Sequence, residues 1–146
     1  MIDLALQIKQ RGSIYFWKYK TDGWIGSEWH FSADSSGRKY FMSLLDHMIS
    51  LNSPGKCLIK VTPVTQKILR VPDFDSPFED RSGLKLTYTP FASHYNAWSV
   101  GDNENVVDIS FGKNVLLAWR RAVLESKSHK SDQIIGLDDD HTVYVW

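Results

Sequence analysis

Apolar residues recur on a helical period at two places along the chain. Tyr40, Phe41, Leu44, Leu45, Met48 and Ile49 form one stripe on a 3.6-residue period. Asp34 or Ser35 precedes it as a capping residue, whose side-chain oxygen accepts from an otherwise unpaired backbone N–H. Asn52-Ser53-Pro54-Gly55 then ends the helix. Val115, Leu116, Trp119, Ala122 and Val123 make the second stripe, which predicts a helix from Gly112 to Lys127. Arg120, Arg121 and Lys127 gather late in it, where cations suit the carbonyl end of the helix dipole.

Between and around these helices the pattern is that of strands. Residues 14–20 and 24–31 are rich in aromatic and β-branched side chains and are separated by Thr21-Asp22-Gly23, a turn signal. Residues 4–8 read as an earlier strand. In 56–61 alternation puts Cys57, Ile59 and Val61 on one face. Residues 84–89, 97–100 and 106–111 read as three more strands, the last two joined through polar turn residues 101–105. Residues 133–136 and 142–146 close the series. Pro72, Pro77 and Gly83 break regular structure in 71–83, which reads as an ordered surface loop pinned by Phe74 and Phe78. Runs of strands interrupted by two helices predict an α+β fold, with both helices packed on an antiparallel or mixed sheet.

With 146 residues, 42% hydrophobic, the chain can fill one core, so residues 1–146 are expected to form a single α+β domain, monomeric or weakly dimeric. Seventeen basic residues balance seventeen acidic ones, which argues against a constitutive nucleic-acid binder. Six Trp, six Tyr and seven Phe argue against disorder and supply material for a core or an interface. No basic leader precedes an apolar run, and no stretch approaches the roughly 20 apolar residues of a membrane span. A single cysteine fits a reducing compartment, so the expectation is a cytoplasmic protein without a membrane partner. Cys57 reads as a small buried hydrophobe rather than a catalytic thiol.

The search for chemistry finds no phosphate-cradling glycine loop and no paired Cys or His at zinc-ligand spacing, so no metal, cofactor or catalytic residue is expected. Asp138-Asp139-Asp140-His141 lacks the alternate oxygen ligands of a Ca²⁺ loop and reads as a solvated hairpin tip. Glu28 and His30 would share one face of a strand and are candidates for acid–base work; the competing reading is an exposed face beside a buried Trp29. An aromatic-lined pocket with this pair would make the protein a small-molecule-binding or enzymatic domain. A general interaction module is a third class.

Charge by segment says more than the total. Residues 71–110 carry a balance of −5 and residues 131–146 one of −4, against +5 in residues 1–70 and +4 in residues 111–130. Acidic loops suit a basic protein partner, because complementary charge speeds encounter and selects against wrong partners. The candidate contact residues are therefore Asp73, Asp75, Glu79, Asp80, Asp138, Asp139 and Asp140, with Phe74 and Phe78 as apolar anchors.

Residues 24–34, followed by the helix through Leu44-Leu45-Asp46-His47-Met48, resemble small bacterial immunity proteins of contact-dependent growth inhibition and other polymorphic toxin systems. Residues 135–139 and the aromatic ending Tyr144-Val145-Trp146 are similar too. The resemblance covers residues 14–51 and 106–146 and rests on size, element order and aromatic placement. It implies a cytoplasmic protein with no chemistry of its own, which binds the cognate toxin domain and covers its active site or substrate path. A nuclease toxin would present a basic cleft, which acidic segments on the inhibitor suit.

Overall fold

Alternation builds the first of two sheets. In the computed structural model, which describes residues 1–20, 28–72, 77–126, 133–135 and 142–146, β4 (Gly55–Lys60) buries Cys57 and Ile59 and exposes Lys56, Leu58 and Lys60. The same period buries Leu84, Leu86 and Tyr88 of β6 (Gly83–Thr89), and Val107, Ile109 and Phe111 of β8 (Val106–Gly112). With β1 (Ile2–Asp3) and β7 (Trp98–Asn103) these strands form a sheet of order β1-β4-β6-β8-β7. β1/β4 and β6/β8 pair in parallel, and the other neighbours are antiparallel.

The second sheet has the order β5-β2-β3-β10-β9, from β2 (Ile14–Tyr19), β3 (Trp29–Ala33), β5 (Phe78–Asp80), β9 (Gln133–Ile135) and β10 (Val143–Val145). β10 runs parallel to β3, with Tyr144 opposite His30, and antiparallel to β9. Every residue of β3 is buried, so this strand is covered on both faces.

α1 (Ser35–Leu51) starts at Asp34, whose carboxylate accepts from the Gly37 N–H at 2.7 Å, and ends at Asn52 in the left-handed conformation. α3 (Lys113–Glu125) packs against α1. Trp119 of α3 is the pivot of the core. Its ring lies 5.8 Å from Phe31 of β3, 5.3 Å from Phe41 of α1, 5.9 Å from Phe111 of β8 and 6.2 Å from Trp98 of β7. One aromatic side chain thus meets both sheets and the neighbouring helix. The result is a single α+β domain with mixed sheets, a large apolar core and a small second apolar cluster.

Three local expectations are corrected and one unexpected element appears. Residues 4–8 are not a strand: Leu4–Leu6 form a 3₁₀ turn capped by Asp3, whose carboxylate accepts from the Ala5 N–H. Residues 78–80 are not loop but strand β5, because Glu79 and Asp80 find partners on β2. A short helix absent from the sequence reading, α2 (Gln66–Leu69), is capped by Thr65. His30 and Trp29 are both buried, so β3 has no exposed polar face. Among the described residues, no helix is long and apolar enough to cross a membrane.

Candidate functional site

Of the acidic-loop residues, Asp73, Phe74, Asp75, Asp138, Asp139 and Asp140 lie outside the described residues. Phe78, Glu79 and Asp80 sit together on β5, the outermost strand of the second sheet. Phe78 is half-buried against a small second core of Trp17, Tyr19 and Leu69. The Asp80 carboxylate accepts from the backbone N–H of Val64 at 3.2 Å, which ties β5 to the segment leading into α2.

Glu79 belongs to a four-membered charge cluster that the sequence reading missed. The Lys18 ammonium stands 3.1 Å from Glu79 and 4.0 Å from Asp102. The Arg81 guanidinium donates two bonds of 2.8 Å to the Asp102 carboxylate and one of 3.3 Å to Glu79. Both cations lie over the Trp29 ring, Lys18 at 5.1 Å and Arg81 at 5.5 Å. Arg81 thereby links β5 of one sheet to β7 of the other. Partial burial works against ionisation of Glu79, but Lys18 and Arg81 outweigh it and hold its carboxyl below the ordinary range. Hydrogen bonding from Arg81 holds Asp102 low in the same way and raises Arg81 itself. Two anions and two cations cancel here, so the negative balance of 71–110 is partly spent inside the fold. Sequence spacing could not reveal the cluster, since only strand register brings residues 18, 79, 81 and 102 together.

Glu28 and His30 do not form an acid–base pair: no hydrogen bond joins them. The Glu28 carboxylate accepts from the Thr142 N–H at 3.0 Å. His30 has no exposed surface, and its Nδ1 accepts from the Trp146 indole N–H at 2.9 Å. Its ring is stacked between Trp17, at 5.4 Å, and Tyr144, at 5.2 Å, and meets the edge of Tyr19. Both residues bond to the residues flanking β10, Thr142 and Trp146, a structural use of polar groups. Cys57 is likewise buried. Burial pushes its thiol up, and its Sγ meets the Tyr40 hydroxyl at 3.5 Å.

An apolar ridge was also invisible to the pattern reading. Leu117 and Leu124 are 44% and 38% exposed on one face of α3, seven residues apart. Tyr95, itself exposed, lies at the start of that helix, under the Lys113 ammonium at 5.9 Å. Phe91, 55% exposed, belongs to the same connection. No group of three or more His, Cys, Asp and Glu side chains able to hold a metal ion occurs among the described residues. Comparison with protein-family models, with curated proteins and with solved structures finds no match to this chain.

Proposed function

We propose that this protein is an immunity-type inhibitor that binds a cognate bacterial toxin domain and covers its active site or substrate path, without chemistry of its own. The observation that carries the reading is the position of β5. It puts Phe78, Glu79 and Asp80 at the outer edge of the second sheet, and they continue the acidic segment that holds Asp73, Phe74 and Asp75. An outermost strand offers backbone groups and side chains to a partner chain. The sequence resemblance supports the same class. Because Glu79 is neutralised by Lys18 and Arg81, the charge offered to a basic toxin cleft rests on Asp73, Asp75 and Asp80, with Asp138, Asp139 and Asp140 as the second acidic element. A nuclease is the toxin class whose basic cleft suits these acids.

The test begins with co-purification against the product of the adjacent upstream gene, followed by co-expression of that product with this protein. Wild-type protein should restore growth and form a stable complex. Replacing Asp73, Asp75, Asp138, Asp139 and Asp140 by Lys should lower the association rate at least tenfold and reduce protection. Lost protection in a Leu117→Asp/Leu124→Asp variant, with the acid variant unaffected, would move the interface to the α3 ridge. No complex and no protection by wild-type protein would overturn the reading.

A further inference from the structure

An open cleft of about 580 Å³ lies between α1 and the strap formed by residues 7–11. Its walls carry Lys9 and Arg11 from the strap and Lys39 from α1, with the hydroxyls of Ser36 and Ser43 and the side chain of Gln7 beside them. Ser36, Lys39 and Ser43 recur three and four residues apart, so they share one face of the helix. Among the described residues, no carboxylate pairs with Lys9, Arg11 or Lys39, so the cleft gathers three cations without an acidic partner. Gathering three like charges around one hollow is unfavourable unless something compensates them.

The strap is fixed at three points, so the cleft is built rather than incidental. At one end Gln7 Oε1 bonds His47 Nε2 of α1 at 2.6 Å. In the middle, the Gln10 side-chain amide donates to the Lys60 carbonyl at 2.7 Å and accepts from the Lys60 N–H at 2.8 Å. At the other end Asp34 accepts from the Ser13 N–H at 3.0 Å while it caps α1. Asp46, in the adjoining hollow, is held by Arg120 at 2.7 Å.

We propose that this cleft is a binding site for a small phosphate-bearing molecule with two or more negative charges. Three cations match a multiply charged anion. A monocarboxylate would leave two of them uncompensated. Guanidinium, ammonium and hydroxyl donors together suit phosphate oxygens, with Arg11 able to donate a planar pair of bonds. The volume fits a small ligand rather than a folded partner.

The probes are inorganic pyrophosphate and orthophosphate, titrated calorimetrically into the intact protein at constant ionic strength, with acetate as the control. Pyrophosphate should bind with one-to-one stoichiometry, more tightly than orthophosphate, with acetate silent. Arg11→Gln and Lys39→Gln should each weaken pyrophosphate at least tenfold and leave ligand-free thermal unfolding unchanged, since both side chains are exposed. Lys85→Gln, on the first sheet, should bind as wild type. Absence of pyrophosphate binding at 10 mM, or equal binding by the Arg11 and Lys39 variants, would overturn the proposal. So would an acidic peptide or single-stranded oligonucleotide that binds through Arg11 and Lys39 where pyrophosphate does not.

Discussion

Gly12 and Gly37 meet backbone to backbone: a Cβ on Gly12 would lie 2.1 Å from the amide nitrogen of Gly37, and one on Gly37 would lie 2.2 Å from the Ser13 carbonyl oxygen. Gly12 also holds φ at +70°, which side chains disfavour. Gly37→Ala should therefore destabilise the domain by about 1–3 kcal/mol, because backbone on both sides must shift. Gly12→Ala should be no milder. Urea unfolding measures both, and a midpoint equal to wild type for Gly37→Ala would mean that the contact is loose.

The charge cluster predicts a pH dependence. Glu79 and Asp102 ionise below their ordinary values of 4.5 and 3.8 in the folded protein. Their stabilising contribution is thus fully present above pH 4.5, and is lost as pH falls past those values and through the depressed folded ones. Arg81→Gln should flatten the stability profile between pH 5 and pH 2, with its destabilisation largest at neutral pH and smallest near pH 2. An unchanged slope in the Arg81 variant would remove the cluster as its source.

Trp146→Phe should cost about 1–3 kcal/mol, because it deletes the indole N–H that the buried His30 Nδ1 accepts from. Pairing it with His30→Phe in a double-mutant cycle isolates the bond from the stacking. The double variant should lose less than the two single losses added together.

Leu44→Ala removes a side chain with no exposed surface and should cost about 2–5 kcal/mol in denaturant unfolding. Cys57, buried with its thiol pushed up, should react with a thiol reagent only as fast as the domain opens. Rapid modification of folded protein at neutral pH would contradict that environment.

The parts of the fold legible in the sequence are those where one face is buried and the other wet. α1, α3, β4, β6 and β8 each follow a single period, and Asp34 announces its cap. β3 defeated the same logic, because a strand buried on both faces gives no alternation, and His30 therefore passed for a surface group. β5 was hidden by Pro72, Pro77 and its own acids, which are satisfied in the fold by Arg81 and Lys18 at Glu79, where Lys18 stands opposite in the register, and by the Val64 N–H at Asp80. The same dependence on register hid Arg81 and Asp102. The cations of the strap were visible individually, but their convergence with Lys39 depends on the close approach at Gly12 and Gly37.

The parallel pairing of β3 with β10 has a consequence in time. Ser32 and Trp146, which bond across this junction, are 114 residues apart. On a ribosome adding roughly 5–20 residues per second, β3 waits about 6–23 s for its neighbour, with one ladder edge open and aromatic residues on both faces. The second sheet is therefore completed only once residues 143–145 have been made, and until then β3 lacks its native neighbour on that edge.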